Sequence, residues 1–416
     1  MSSKSRKRPT PLQTKTNGIE QDPTHHLTGP FLPQTPLDAP TPRSASPSFS
    51  TAWAAKQASR SAWVRWAVDP AASFKLLLLP IVLYLNWELV APYVEPGISN
   101  PFAGLFLLKG RVPGSPPEDP RYQKSWWDLA FLAYYVVFFS FVRETLAAKV
   151  SRPLAKYFGL KRESKIDRFA EQAYAVFYFM ISGTWGYLVM SHLPTYWYNT
   201  NEFWLDYPHW DMRPDLKRYY LMQFSYWLQQ LVVLVLGLEK PRKDYLELVI
   251  HHFVTLWLVG WSYLINLTYI GNAVYMSMDI PDSFLAFSKI LNYIQWDTAK
   301  IYAFVVFYAI WTYFRHYLNL VILWSVWYEL PNVPEWTKKW SWEEGVYLVS
   351  WMRYQVFIPL LLLQFINIFW YYLMTKILYR GIKSLVSPTP EKVGDDRSDE
   401  EDEGDDDDDT SNKKDD

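Results

Sequence analysis

Two apolar segments of about 20 residues each follow one another between Glu239 and Tyr293, and they constrain the fold more than any other feature of the sequence. A short polar break near Asn266–Asn272 separates them. A helix of this length and composition can cross the hydrocarbon core of a bilayer. The pair therefore predicts two membrane helices joined by a tight turn.

Apolar segments of similar length recur along the chain. They are predicted at 74–91, 126–146, 169–190, 219–238, 247–266, 269–290, 299–328 and 345–378. Aromatic residues make up 18% of the sequence, with 22 Trp among them, and such residues collect at membrane interfaces. The predicted fold class is an all-α polytopic membrane protein with about eight transmembrane helices, of which the last two are long enough to tilt or extend past the bilayer.

Four ionisable residues lie within the two predicted helices between Glu239 and Tyr293. One helix carries His251 and His252, and the next carries Asp279 and Asp282. Counted from a turn near Leu267 at about 1.5 Å per residue, all four lie at a similar depth. Ionisable groups are costly inside a membrane and usually mark a functional site, so we expect them to be mutual partners. The alternative is a His–Asp bond that only fixes helix packing.

Basic residues predict the orientation of the spans. The segment Lys149–Arg168 holds seven Lys or Arg against two acids, which makes it cytosolic by the positive-inside rule. With eight spans, both termini and the loop containing Arg242 and Lys243 are then cytosolic. The aromatic loops Pro194–Tyr207 and Tyr328–Trp342 fall on the lumenal side, where we expect them to rest on the lipid surface.

Polar segments flank the predicted spans. Residues 1–60 are rich in Ser, Thr and Pro and lack the apolar core of a signal peptide. Residues 381–416 form an acidic tail, with about 15 acids against 4 bases from 391 onward. Both tails are predicted to be disordered and cytosolic, so the first two spans occupy 61–164 and the other six occupy 165–380. The sequence has no Cys, which excludes disulfides and a thiol nucleophile.

The run RKDYLELVIHH, followed by Ser262, Tyr263, Asn266 and Gly271 and then by MDIPD and KILNY, resembles the longevity-assurance motif of ceramide synthases, in the TLC-domain family. The resemblance is specific over about 55 residues, and the pattern of spans extends it over 165–380 as a TLC-type helix bundle. It implies a fungal-type, multi-pass enzyme of the endoplasmic reticulum membrane that joins a fatty acyl group from acyl-CoA to a sphingoid long-chain base.

The resemblance also implies site residues. His251, His252, Asp279 and Asp282 match the positions held to be catalytic. Candidates for contacts with CoA or with the lipid headgroup are Arg242, Lys243, Ser262, Tyr263, Asn266, Ser283, Lys289 and Asn292. One departure is that many animal members have a His where this chain has Met278. His251 and His252 are therefore the only histidines of the motif.

Further expectations follow from the same resemblance. It implies no bound cofactor, acyl-CoA as co-substrate, membrane lipids as surroundings, a small single-span accessory subunit, a homodimer or a heterodimer with a paralogue, and no nucleic acid. The lumenal connection Tyr328–Glu344 would tune the acyl length.

The ending with Lys413 and Lys414 resembles a dilysine retrieval signal of the endoplasmic reticulum, and Ser398 has an acid-rich setting typical of a phosphorylation site. A merely solvating tail is the alternative.

The chemistry of the four polar residues leaves two routes open. A neutral imidazole can take a proton from the sphingoid amine as a general base, or it can attack the thioester and form an acyl-imidazole. In either route an Asp bonded to the other ring nitrogen would fix the tautomer. Helical spacing puts His251 on one face with Thr255 and Ser262, but does not say which histidine faces the aspartates.

Four alternatives stay open at the level of the sequence. Arg242 and Lys243 either meet the phosphates of CoA or only satisfy the positive-inside rule. Arg315 and His316, inside the seventh predicted span, either line a cavity or lie near an interface at a break in the helix. A divalent metal is a further possible ligand of two His and two Asp, although we expect none. The competing function is a non-catalytic TLC-type membrane protein that binds or senses lipid or assists membrane-protein folding.

Overall fold

The computed structural model describes residues 62–94, 97–239 and 245–386, with side chains described in 63–94, 97–239 and 245–383. The helices are α1 (Pro70–Val94), α2 (Trp127–Leu146), α3 (Arg152–Tyr157), α4 (Glu163–Ser191), α5 (Pro214–Val235), α6 (Tyr245–Leu264), α7 (Thr268–Tyr293), α8 (Asp297–Trp311), α9 (Asn319–Tyr328) and α10 (Met352–Val386). Shorter helical pieces are Ala62–Val64, Arg65–Val68, Ala103–Leu105, Thr200–Phe203, Leu330–Asn332 and Glu335–Thr337. The predicted all-α fold class is confirmed for this part of the chain.

Four of these helical segments are long and apolar enough to cross a membrane, which makes the chain a multi-pass membrane protein. They are Pro70–Val94, Trp127–Tyr157, Glu163–Ser191 and Met352–Lys383. The other predicted spans also coincide with helices, but α8 and α9 have only 15 and 10 residues, and α7 carries two aspartates. The prediction of eight spans is therefore met only in part.

Successive long helices run in opposite directions, so their connections lie at two ends of the bundle. One end carries residues 147–162 and 294–296; we call it the basic end after the Lys and Arg residues of its first connection. The opposite end carries residues 97–126, 192–213 and 329–351, and we call these three connections the cap. The α6–α7 turn, residues 265–267, also lies at the cap end.

The boundaries of the last two predicted spans need correction. The final helix begins at Met352, because residues 345–351 belong to the cap, and it continues to Val386, beyond the predicted boundary at 380. The predicted span 299–328 is not one α-helix. A π-helical segment, Thr312–Leu318, separates α8 from α9, and such segments often mark functional sites.

Close packing of α4 against α7 holds the aspartates in the middle of the bundle. Gly183 of α4 lies against Ile280 of α7, and a Cβ atom added at Gly183 would be 3.0 Å from the Ile280 side chain. A small residue lets two membrane helices approach closely. Asp279, next to Ile280, is consequently fully buried.

The expectation that the aromatic loops rest on the lipid surface is met only in part, because some of their side chains are exposed, such as Trp197 and Trp342, and others are buried. Phe203, Trp204 and Tyr207 of one loop, and Leu330 and Val333 of the other, are buried in the core cluster at the cap end. The polar edges of the rings find partners there; the Trp204 Nε1 donates to the Ser325 Oγ at 2.8 Å. A buried Trp needs such a partner for its N–H. The loops thus close the bundle at this end.

Candidate active site

An apolar cavity lies between α5, α6, α7 and α10, with an empty volume in and around it of about 730 Å³. Its lining includes His251 and Arg315 toward the basic end, and Ser262, Leu267 and Gly271 toward the cap. Most of the remaining lining is Leu, Ile, Val and aromatic side chains. Ligand sites of this kind combine a largely apolar wall with a few polar groups that orient the ligand.

The cavity is elongated along the helices. His251 and Ser262 both line it, and they are eleven residues apart on α6 (262 − 251 = 11). At about 1.5 Å per residue that separation is about 16 Å. A slot with a histidine at one end and hydrocarbon walls along its length suits a single extended alkyl chain.

His251 is the motif histidine that lines this cavity. It shares the lining with Thr255 and Ser262, which confirms the helical face predicted for it. Its ring packs between Trp227 and Trp370, with ring centroids 5.7 and 5.4 Å away. Within the described part of the chain its Nδ1 has no hydrogen-bond partner. The imidazole is therefore held by packing rather than by a polar group.

His252 is held in a different way. Its Nδ1 donates to the backbone carbonyl of Leu248 at 2.8 Å, and its ring centroid is 5.7 Å from that of His251. In the neutral ring this donor fixes the tautomer, so the lone pair is on Nε2.

Asp279 lies in a network of neutral polar side chains. Its Oδ2 accepts a hydrogen bond from the Gln223 Nε2 of α5. The same amide group donates to the Tyr219 hydroxyl at 2.9 Å, and its oxygen accepts from the Tyr178 hydroxyl. Among the described residues no cation lies within hydrogen-bonding distance of Asp279. The Gln223 amide bonds this carboxylate, and the two tyrosine hydroxyls bond Gln223 and hold it in place.

Asp282 forms a buried ion pair with Arg315. The Arg315 Nη2 is 2.6 Å from the Asp282 Oδ1 and donates to the Met278 carbonyl at 2.9 Å. The Nη1 donates to the Asn367 Oδ1 at 3.0 Å, and the guanidinium carbon is 4.4 Å from the Trp311 ring centroid. Arg315 is only 2% exposed. Of the two alternatives left by the sequence, cavity lining holds for Arg315 but not for His316, whose Nδ1 accepts a hydrogen bond from the Gln364 Nε2 at 2.8 Å.

The expected bond between a motif carboxylate and the ring of His251 is absent from the described residues. Asp282 is bonded to Arg315 and Asp279 to Gln223, which lie on other helices. A charged or strongly polar partner lowers the cost of a buried carboxylate more than a neutral imidazole does. The expectation that a motif Asp is a direct partner of a motif His is therefore wrong for His251. Asp282 is connected to the cavity through Arg315, which it binds and which lines the cavity.

The headgroup candidates separate into two groups. Ser262 lines the cavity, where its hydroxyl is bonded to that of Tyr220. Tyr263 points toward α2 and donates to the Asp128 Oδ2 at 2.8 Å, while the Asn266 amide donates to the Gly345 carbonyl at 2.9 Å. Neither of these two lines the cavity.

The other candidates lie away from the cavity or outside the described residues. The Ser283 hydroxyl bonds back to the Ile280 carbonyl at 2.7 Å. Lys289 and Asn292 are in the last turns of α7, at the basic end. Candidate residues outside the described ranges are Arg242, Lys243, Ser398, Lys413 and Lys414. The binding roles of the headgroup candidates, the phosphorylation of Ser398 and the retrieval role of Lys413 and Lys414 stay predictions.

Sequence reasoning missed several residues around the site. Gln223 contacts Asp279, Asn367 contacts Arg315, and Trp227 packs on His251. Gln223 and Asn367 each sit inside a predicted apolar span, and a polar residue there is a signal of function or pairing. Trp227 carried no comparable signal, because Trp is common throughout these spans. In the described part of the chain, no group of three or more His, Asp or Glu is arranged to hold a metal ion.

Comparison with known proteins decides the family. The sequence model of the TLC domain matches residues 168–376. The chain belongs to the TLC-domain family. The Schizosaccharomyces pombe protein named sphingosine N-acyltransferase lac1 is 39% identical to it over 326 residues, which are 78% of this chain and 80% of the relative.

Two further relatives carry the name ceramide synthase. The LAG1 protein of Saccharomyces cerevisiae is 38% identical over 293 residues, or 68% of this chain and 67% of the relative. The hyl-2 protein of Caenorhabditis elegans is 31% identical over 277 residues, or 64% of this chain and 81% of the relative. The matched TLC segment contains His251, Asp279, Asp282 and Arg315.

Proposed function

We propose that this TLC-domain protein is a sphingosine N-acyltransferase, a ceramide synthase. It transfers a fatty acyl group from acyl-CoA to the amine of a sphingoid long-chain base and releases CoA. The observation that carries the proposal is the position of His251 at one end of an elongated apolar cavity, in a chain whose relatives are named sphingosine N-acyltransferase and ceramide synthase.

The cavity explains how the acyl chain is held. The acyl chain extends from His251 toward the cap, between the aliphatic walls contributed by α6, α7 and α10. Each methylene group removed from water contributes about 0.8 kcal/mol. The thioester carbonyl is then next to His251, and CoA projects from the basic end.

The transfer itself proceeds in two steps in our proposal. A ring nitrogen of His251 attacks the thioester carbonyl, the C–S bond breaks, and CoA leaves as a thiol by taking the proton of the other ring nitrogen. The neutral amine of the long-chain base then attacks the acyl-imidazole and the bond from carbon to imidazole breaks. The proton lost by the amine returns to the ring, so the amide is released with neutral His251 restored. A dry cavity favours this route because it excludes hydrolysis of the intermediate.

The aspartates support this chemistry indirectly. Asp282 orients Arg315, whose guanidinium reaches the same end of the cavity as His251. A fixed positive charge there stabilises the oxyanion that develops at the thioester carbonyl. Asp279 acts through Gln223, which it binds on α5. This bond fixes the position of α5, and Trp227 of the same helix packs against the imidazole of His251. His252, bonded to Leu248, remains the candidate base for the incoming amine.

For topology we propose the eight-span arrangement. Residues 61–164 supply two transmembrane helices, and residues 165–380 supply the six of the TLC domain. In this count α8 and α9 together form one span. Both termini and the basic end are cytosolic, and the cap is lumenal in the endoplasmic reticulum. This orientation puts the His251 end of the cavity nearer to cytosolic acyl-CoA. The accessory subunit, the dimer and the absence of a bound cofactor stay predictions.

The test is long-chain-base-dependent release of CoA from purified protein. Protein in lipid nanodiscs is mixed with acyl-CoA, with or without sphingoid base, and both CoA and the amide are measured. We expect release of CoA and formation of ceramide in equal amounts only when the base is present, and loss of both in His251→Ala. Binding of both lipids with no amide formed would instead support the non-catalytic lipid-binding alternative.

A further inference from the structure

The α6–α7 turn forms the end of the cavity nearest the cap. Leu267, the last residue of this turn, lines the cavity together with Ile270 and Gly271 at the start of α7. Asn266, immediately before it, has a φ of 64°, a left-handed conformation that Asn tolerates better than most residues. The position of this turn therefore decides how far the cavity extends.

Each of the three cap connections binds one of three successive residues at this turn. Lys124 of the first donates from its Nζ to the Leu264 carbonyl at 2.6 Å. The hydroxyl of Tyr207, in the second, donates to the Ile265 carbonyl at 2.9 Å. The third is bound by Asn266, whose amide donates to the Gly345 carbonyl at 2.9 Å. The turn is thus held from three sides.

The third of these contacts is the most direct route from the cap to the cavity. Among the described residues of the segment 329–351, none lines the cavity, so the connection Tyr328–Glu344, predicted to tune the acyl length, does not do so by lining this cavity. Gly345 of this segment instead binds the neighbour of Leu267. Asn266 is 2% exposed, so its amide has little access to water as an alternative partner.

Gly345 is itself held in place. It lies in a tight turn closed by two hydrogen bonds between Ser341 and Val346, and its φ is 62°. A Cβ atom added there would lie 2.6 Å from the Trp210 Nε1, which also donates to the Gly345 carbonyl at 3.2 Å. A side chain at this position would move the carbonyl that anchors Asn266.

We infer that Asn266 is a specificity-determining positioning residue: by tying the α6–α7 turn to Gly345, it fixes the depth of the cavity and with it the length of acyl chain that is transferred. The inference rests on the proposed function. Asn266 does not touch the acyl chain in this account; it acts through Leu267. One turn of helix corresponds to about 5.4 Å, so a small movement of this turn changes the accepted length by a few carbons.

The experiment is a competition among saturated acyl-CoAs that differ by two carbons, with purified protein and one sphingoid base. Product lengths are measured by mass spectrometry and expressed as fractions of total amide. Asn266→Gly keeps the left-handed turn and removes the anchor. We expect the ratio of the next longer product to the main product to rise about fivefold, the equivalent of one lost hydrogen bond. Asn266→Asp, which cannot donate to the Gly345 carbonyl, should raise it at least as much.

Two further variants make the test specific. Gly345→Ala disturbs the same contact from the other side, so the double variant with Asn266→Gly should shift the ratio no more than the larger single change. Trp204→Phe is the matched control, because it breaks the bond to Ser325 in the cap and leaves the three hydrogen bonds to the turn in place. Its product distribution should stay that of the wild type.

Three outcomes would overturn the inference. The first is a wild-type distribution in folded Asn266→Gly or, if that variant does not fold, in Asn266→Asp and Gly345→Ala. The second is an additive double variant, and the third is an equal shift in Trp204→Phe, which would assign the effect to the cap as a whole. Failure of the wild type to form any amide would reject the proposed function, and is distinguishable from all three.

Discussion

The ion pair between Asp282 and Arg315 makes a strong prediction about stability as well as activity. The Asp282→Asn variant keeps the shape of the side chain but leaves the guanidinium of Arg315, 2% exposed, without its counter-charge. Removing one partner of a buried ion pair typically costs about 3–5 kcal/mol. We therefore expect Asp282→Asn to lose both acyl transfer and stability, unlike a purely catalytic change.

The expected loss of stability differs between substitution of Asp282 and substitution of Arg315. The Asp282 side chain is 18% exposed, so a carboxylate left alone in Arg315→Gln is less completely enclosed than the guanidinium of Arg315 and costs less. In the double variant Asp282→Asn/Arg315→Gln both charges are gone, and paired neutral groups of similar volume restore most of the stability. Acyl transfer should stay lost, because the proposed stabiliser of the oxyanion is missing.

The assay is thermal unfolding of detergent-solubilised protein alongside CoA release. A loss of this size should lower the melting temperature by about 5 °C in Asp282→Asn, by less in Arg315→Gln, and by little in the double variant. Asp297→Asn is the control, because its pair with Lys300 is on the surface, with the Asp297 side chain 74% exposed, and should cost less than about 1 kcal/mol. A melting temperature in Asp282→Asn equal to that of the control, or full activity in the double variant, would refute the reasoning.

Three other predictions concern topology, pH and retrieval. A tag near Asn201 should be protected from protease added to intact microsomes and terminal tags digested, whereas a protected terminus would reject the eight-span topology. Burial lowers the pKa of His209 to about 4, so between about pH 6.5 and pH 4 the unfolded chain binds one more proton than the folded protein. The free energy of unfolding should therefore fall as the pH drops through this range, by at most about 3 kcal/mol. His209→Gln should remove this pH dependence, and His192→Gln, a change at a side chain that is 56% exposed, should keep it. Lys413→Ser with Lys414→Ser should release the protein from the endoplasmic reticulum, and unchanged confinement would exclude a sole dilysine signal.

Much of the fold follows from apolar length and from charge. The α6–α7 pair is where the sequence predicts it, because two apolar segments flank a polar break, and α7 begins at Thr268 as the turn near Leu267 requires. The helical face of His251 also follows from spacing alone. These features depend on local periodicity, which a single sequence contains.

The contacts of the aspartates could not be predicted in the same way. Depth along two helices indicates that His251 and Asp279 lie at one level, but rotation about each helix axis decides the partner. That rotation depends on small residues such as Gly183, which lets α4 approach α7, and on the π-helical segment that brings Arg315 to Asp282. The burial of the cap could not be predicted either. It involves contacts such as the hydrogen bond from Trp204 to Ser325, which are 121 residues apart, and local sequence contains no sign of such a contact.

The most direct test of the account is the intact mass of purified protein after incubation with acyl-CoA in the absence of a sphingoid base. Acyl transfer through His251 predicts a mass increase of one acyl group that maps to His251, is absent in His251→Ala, and disappears with formation of ceramide when the base is added. Asp297→Asn should form the same adduct as the wild type. No adduct after rapid quenching, combined with intersecting double-reciprocal kinetics, would contradict the acyl-imidazole and assign direct attack by the amine.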